Sequence, residues 1–385
     1  MLDRLLSHDR PGHPALAALV VLIVVALAFA PFLFPGAKAL SVAAKLLVFI
    51  LLVASFDLLL GYTGIVSFAH TMFFGIGAYG VGIASTRLGE GWAAVAIGCA
   101  AAVAVSLALS FVIGLFSLRV KAIFYAMITL AVAAAFQTLA SQLSDFTGGE
   151  DGITFKNPAL LSPSFEWVIV EAVDGEGGFT LDGRILTYYL LFVAVVVLFL
   201  ALLRIVNSPF GRVLQAIREN DFRAEAIGYR TVVYRTLSNV ISAMFATLAG
   251  ALLALWLRYV GPDTTLSFEI MLDILLIVVI GGMGTMYGAV IGAALFVLAQ
   301  NYLQDLLKIG AGALEGVPVL SVLVSPDRWL LWLGLLFVLS VYYFPTGVVG
   351  RLRARSAAKW VAEARAAEAG AEAAASRAGQ GGSPR

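Results

Sequence analysis

The sequence predicts an all-α protein, a polytopic bundle of about ten membrane-spanning helices (8–10), some of them broken by glycine. Two observations carry this expectation. The 385-residue chain is 61% hydrophobic and 13% charged, with a mean hydropathy of +0.96. A soluble domain is about 45–50% apolar and about 25% charged, so an excess of this size has to face lipid or lie between helices. The second observation is segmentation. Apolar runs of about 20 residues, the length that crosses a hydrocarbon core, recur between short polar stretches.

The runs fall in order. Residues 14–35 follow Arg4 and Arg10, and Ala28-Phe29-Ala30 imitates a signal-peptide cleavage box. Pro31 and the spans beyond it favour a retained first helix. Residues 41–60, 64–85, 92–116, 120–142, 186–204, 235–257 and 329–345 are further spans. Residues 268–303 form a longer run interrupted by GGMGTMYG at 281–288. That pattern fits two spans with a tight turn, or one span with a re-entrant segment.

Orientation follows from Lys and Arg in short loops. Arg204, Arg212, Arg218, Arg223, Arg230 and Arg235 cluster in one connection, Arg119 and Lys121 in another, and Arg351, Arg353, Arg355 and Lys359 after the last span. Ten crossings with both termini in the cytoplasm place all three clusters inside. Residues 1–13 are then an inner N-terminus, 14–350 the membrane domain, and 351–385 an inner Ala/Glu/Arg-rich tail, disordered at its end. Residues 143–185 face outward. They are acidic, and read either as a solvated cap or as a docking face.

Glycine costs a helix roughly 1 kcal/mol per interior position, yet the stretch GYTGIVSFAHTMFFGIGAYG, 61–80, is full of it. Gly75, Gly77 and Gly80 suit close helix–helix contact, since small residues let backbones approach where no hydrophobic force operates. Gly61 and Gly64 fall between two runs and permit a sharp turn or an unwound stretch. Gly281, Gly282 and Gly284 do the same in the second half, and paired glycine breaks of this kind point to a translocation path. Ser67, His70 and Tyr79 are polar groups at membrane depth and join the candidate path, because an intramembrane ionisable residue is a functional candidate by default. Ordinary packing is the alternative for His70, and a bond back to its own helix for Ser67. Asp57 and Lys45 lie near the ends of one span, where snorkelling accounts for them. Asp273 faces either the outer interface or a polar cavity.

The connection at 205–234 is long and patterned. Within SPFGRVLQAIRENDFRAEAIGYRTVVYR, Ser208 and Pro209 suit a helix start. Phe210, Val213, Leu214 and Ile217 recur on one side at helical spacing, and Glu219 and Arg223 form an i,i+4 pair. Asn220-Asp221 starts a second short helix that runs through Ala224 and Ile227 to Gly228. A basic segment on anionic lipid is one reading. Interleaved acids and small residues favour a docking element for a soluble partner, with Arg218, Glu219 and Asn220 pointing into it.

Several classes are excluded. The net charge of +1 gives no reason to expect nucleic acid, and Cys99 is the single cysteine, so no internal disulfide forms. His8, His13 and His70 make no zinc site, no metal is expected, and no catalytic nucleophile and base stand together. No G-x-x-x-x-G-K-[ST] phosphate loop occurs, so any ATP-driven work falls to another chain. An ion-coupled secondary transporter would need intramembrane carboxylates, and only Asp57 and Asp273 offer them.

Three stretches, GYTGIVSFAHTMFFGIGAYG, SPFGRVLQAIRENDFRAEAIGYR and SFEIMLDILLIVVIGGMGTMYGAVIGAAL, together resemble LivM-type permeases of branched-chain amino acid ABC importers, over roughly residues 40–350 and in family order. The resemblance implies a bacterial inner-membrane permease that moves branched-chain or other small amino acids. It implies four kinds of partner: a homologous LivH-type permease, two cytoplasmic ATPase subunits holding ATP and Mg, a periplasmic substrate-binding protein, and the bilayer. The family's ATPase-coupling element maps onto Ala216, Ile217, Arg218, Glu219, Asn220, Ala224, Glu225, Ala226 and Gly228, with a shortened Glu-Ala-Ala-x-x-x-Gly signature at 225–228. LivM-like permeases also serve urea and short-chain amide importers, which stand as the close alternative.

Overall fold

The computed structural model describes residues 14–33, 36–117, 122–162, 165–170, 179–313, 325–343, 347 and 349–350. The expected inner charges at Arg119 and Lys121, the 1–13 terminus and the tail from 351 lie outside the described residues. Helices dominate what is described. The principal ones are α1 (Pro14–Ala28), α2 (Ala37–Asp57), α3 (His70–Leu88), α4 (Trp92–Ser117), α5 (Ala122–Gln142), α6 (Gly183–Val206), α7 (Pro209–Glu219), α8 (Asp221–Ala226), α9 (Thr231–Leu257), α10 (Phe268–Gly281), α11 (Met286–Ala313) and α12 (Trp329–Tyr343).

Seven segments among the described residues are long and apolar enough to cross a membrane: Ala37–Thr63, Trp92–Leu115, Ile123–Gln142, Gly183–Val206, Thr231–Leu257, Pro262–Gly281 and Met286–Ala311. The shorter apolar helices Pro14–Ala28 and Trp329–Ser340, together with α3, complete the bundle of about ten. α3 is poor in hydropathy because of its glycines and polar residues, but nearly all of it is buried, so protein rather than lipid covers it.

The helices form an inner and an outer set. Within their apolar windows α2 is 83% buried, α9 67% and α11 61%, against 28% for α4, 22% for α5 and 28% for α6. The inner set is held by polar side chains as well as by packing. From α9, Ser242 donates to the Ser55 carbonyl at 2.5 Å, Thr247 to Ser106 at 2.6 Å and Asn239 to the Ser110 carbonyl at 2.9 Å. Such bonds act where a polar group would otherwise meet hydrocarbon. The glycines serve close approach as expected. A Cβ at Gly77 would collide with the Thr247 carbonyl, and one at Gly80 with the Gly98 carbonyl.

α6 and α9 are 24 and 27 residues long, about 36 and 40 Å at 1.5 Å per residue. They therefore set two ends of the bundle far apart. At one end a short hairpin pairs Glu166–Val170 with Phe179–Asp182, and Ile153–Thr154 pairs antiparallel with Tyr259–Val260. At the other lies the 207–230 loop with α7 and α8. Asn157, from the 143–185 segment, is buried and donates to the Leu255 carbonyl at 2.7 Å, so part of that segment is built into the bundle. α1 is fastened too: Tyr188 and Tyr189 of α6 donate to the carbonyls of Leu27 and Ala28.

Three boundaries differ from the sequence expectation. The run at 64–85 does not start a helix at Gly64, because residues 64–67 are irregular and α3 begins at His70. His70 is therefore the first residue of a helix, not the middle of a span. The run at 268–303 resolves into two helices, α10 and α11, packed against each other across residues 282–285. α9 starts at Thr231, inside the expected loop.

Replacing Gly77 by Leu is expected to lower the apparent melting temperature in detergent, because overpacking typically costs 1–3 kcal/mol. Gly334→Ala, at a position with open space around it, is expected to leave the temperature unchanged.

Candidate functional site

The two glycine breaks, far apart in sequence, meet at the loop end of the bundle. α2 continues past Asp57 into a π-helical turn, Leu58–Thr63, and stops at Gly64, whose φ of 74° is left-handed. A π-turn leaves its backbone groups out of the α-helical ladder. Two are satisfied locally, with Ile65 N–H donating to the Leu59 carbonyl at 3.0 Å and Thr63 Oγ1 to the Leu58 carbonyl at 2.9 Å. Others find partners from elsewhere. The Gly61 carbonyl accepts from the guanidinium of Arg218 in α7. The Gly284 N–H, in the second break, donates to Asp57 Oδ1 at 2.9 Å. Gly61 needs to be glycine here, since a Cβ would collide with the Gly284 nitrogen and with the Asp57 carboxylate.

The second break is closed by its own bonds. Gly282 N–H donates to the Val278 carbonyl at 2.9 Å, and Thr285 Oγ1 to the Gly282 carbonyl at 2.6 Å. Gly282 and Gly284 both have positive φ, which an L side chain adopts only with strain. Gly281 packs on the Gly288 carbonyl.

Asp57 is thus not a snorkelling residue. It is 1% exposed and ties the two breaks together. The exposed Arg218 also reaches back into the bundle, its guanidinium donating to the Gly61 carbonyl and its stem lying over Gly64. The residues 227 and 157 positions apart in these two contacts explain why the sequence concealed them.

The other candidates sit differently. His70 is buried. Its Nε2 lies 2.8 Å from Ser55 Oγ, which also points at the Leu52 carbonyl, 2.7 Å away, and the ring tilts against Phe56. Those contacts brace α3 against α2. Ser67 belongs to no helix and is buried beside Tyr125, so no back-bond to a helix of its own exists. Tyr79 lies nine residues beyond His70 in α3, about 14 Å further along the axis, in a mostly apolar groove with Gly80, Phe136 and Leu139. The structure does not gather Tyr79 with the breaks.

In the loop, Pro209 takes the first turn of α7, but Ser208 Oγ donates to the Ile205 carbonyl at 2.6 Å and does not cap the helix. Gly211, Leu214 and Ile217 are buried under the bundle, as the apolar spacing implies. Asn220 accepts from the Arg223 N–H at 2.9 Å and so starts α8. The expected Glu219–Arg223 pair does not form. Asp221 instead pairs with Arg235 at 2.9 Å, and Glu225 accepts from Thr231 at 2.7 Å. Ala216 and Glu219 are exposed, as are Glu225 and Ala226 on α8 and Gly228 just beyond it, while Ala224 is buried. The sequence reading passed over two residues here. Phe222 and Ile227, 82% and 71% exposed, stand out among charged neighbours. Large apolar side chains exposed on a polar loop mark a contact surface.

A helical bundle with two glycine breaks joined under a structured polar loop defines a multi-pass membrane protein of transport type. The chain belongs to the family described as branched-chain amino acid transport system / permease component, which matches residues 38–341. Curated relatives agree. A high-affinity branched-chain amino acid transport system permease protein LivM of Salmonella typhimurium is 27% identical, covering 80% of this chain and 73% of that protein. The protein of the same description from Escherichia coli K12 is 28% identical over the same shares. A probable branched-chain amino acid transport permease LivM of Methanocaldococcus jannaschii is 28% identical over 63% of this chain and 65% of its own. No solved structure matches the chain.

Asp57→Ala is expected to leave the Gly284 N–H unsatisfied and to lower stability by about 1–3 kcal/mol. Asp57→Asn keeps an acceptor and is expected to retain most of that stability. Thermal unfolding of the detergent-solubilised chain reads the difference.

Proposed function

We propose that this chain is the translocating permease subunit of an ATP-driven importer of branched-chain amino acids, multi-pass in a bacterial inner membrane with both termini cytoplasmic. The arginine-rich 207–230 loop faces the cytoplasm on this reading, and the 143–185 segment faces the periplasm. A homologous LivH-type permease completes the path. Two separate ATPase subunits hold ATP and Mg against α7 and α8, and a periplasmic binding protein delivers the substrate.

One observation carries the reading: Arg218 of the loop is bonded to the first glycine break, and Asp57 bonds that break to the second. A partner that moves α7 pulls on both breaks at once. Phe222, Ile227 and Glu219 give that partner an apolar contact flanked by charge. Family membership and the relatives' names support the substrate class. Asp57, one of the two carboxylates an ion-coupled transporter could use, has its Oδ1 engaged in holding the breaks together.

Uptake by the assembled importer is expected to survive collapse of the proton gradient at constant ATP. Proton-driven uptake without ATP would sink the proposal. Ala216→Pro, which breaks a helix interior at roughly 3 kcal/mol or more, is expected to abolish ATPase co-purification while the chain still inserts. Phe222→Ala is expected to weaken co-purification several-fold, and Glu219→Arg more than Glu171→Arg. Unchanged co-purification and uptake in all of these variants would remove the coupling role of the loop.

A further inference from the structure

A second polar site lies toward the hairpin end, about 18 Å along α2 from Asp57, twelve residues at 1.5 Å each. Here α2, α9, α10 and α11 surround a cavity of about 470 Å³, inside the range of roughly 300–1,000 Å³ for small-molecule sites. One wall is charged; besides Lys45 and Asp273, the cavity is lined by Lys38, which pairs with Asp305, and by Asp263 and Glu269. Lys45 Nζ donates to Gln300 Oε1 at 2.9 Å, and Gln300 Nε2 donates to Asp273 Oδ2 at 3.2 Å. No direct Lys45–Asp273 ion pair is made among the described residues, because the Gln300 amide stands between ammonium and carboxylate. The rest of the lining is apolar and aromatic, with Phe74, Leu253 and Trp256, and with Phe49, whose ring lies 5.3 Å from the Lys45 ammonium. Asp273 thus faces a polar cavity, and Lys45 lines it too; neither reading of a lipid interface holds.

We propose that this cavity is a binding site for a free α-amino acid with an apolar side chain, in its zwitterionic form. Lys45 takes the carboxylate and Asp273 takes the ammonium. Gln300 fixes their separation, and the aromatic wall takes the side chain. A net-neutral ligand carrying both charges is what Lys45 and Asp273 complement, since each half-buried charge is held by the neutral Gln300 amide and gains an opposite charge when the ligand enters. A neutral amide supplies neither charge. The inference rests on the permease reading and adds to it a site in this chain that selects substrate, beyond whatever the binding protein selects.

The test uses the assembled importer with Asn301→Cys in a Cys99→Ala chain. Asn301 lines the cavity, but among the described residues its amide bonds to the Val297 carbonyl of its own helix, and it takes no part in the proposed contacts. Millimolar L-leucine is expected to slow modification of this cysteine by a thiol reagent at least fivefold, and acetamide to leave the rate unchanged. Asp273→Asn or Lys45→Gln is expected to abolish the protection and cut leucine uptake at least tenfold. A single neutralisation leaves the other charge unpaired, so the double variant Lys45→Met with Asp273→Leu guards against misfolding. It removes both charges, is expected to insert and assemble, and is expected to show no protection. Normal leucine uptake without protection, or protection that survives the double variant, would overturn the site and leave the permease reading standing. Protection by leucine in an importer that moves no leucine would keep the site and overturn the transport reading.

Discussion

The structure depends on satisfying backbone groups where helices break inside a membrane. In hydrocarbon an unpaired N–H or C=O costs several kcal/mol, so irregular backbone survives there only when protein supplies the partner. Here the partners are not generic. The first break is completed by an arginine from a loop, and the second by a carboxylate from the helix that carries the first. Breaking two helices therefore obliges the chain to bring three segments together, and the loop becomes part of the same unit as the breaks.

That arrangement gives mechanical sense to the rest of the bundle. α2 and α9 are buried on most sides and joined by the Ser242 hydroxyl donating to the Ser55 carbonyl, so they make a stiff inner frame. The close approach of α3 to α9, made possible at Gly77, holds the helix after the first break against that frame. Toward the opposite end, a cavity with both signs of charge opens between the same helices, so one helix, α2, carries the proposed coupling contact near one end and the proposed substrate contact near the other.

Much of this was legible in the sequence, and the reasons separate cleanly. Hydropathy and length found the helices because lipid imposes the same requirement on each span. Glycine clusters located both breaks, and the 3.6-residue spacing of Leu214 and Ile217 correctly gave the buried side of α7. What failed was partner assignment. Asp57 looked like a span-end residue because its neighbours are apolar in either case, and only the fold reveals Gly284 beside it. Arg218 is exposed, as a charged loop residue ordinarily is, but its bond to Gly61 leaves no trace in the sequence. Lys45 and Asp273 were separate oddities until the fold joined them through Gln300, which the sequence reading did not single out. Local pattern reports what a residue's helix needs; it carries no record of a contact 227 positions away.

The most direct test of the central claim is hydrogen exchange at the two breaks in the assembled importer, with and without a non-hydrolysable ATP analogue. If the loop and the breaks move as one unit, protection at residues 61–65 and 282–286 changes together on nucleotide binding, and Arg218→Ala uncouples that response while assembly persists. Breaks that ignore nucleotide, or that respond identically in wild type and Arg218→Ala, would contradict the account.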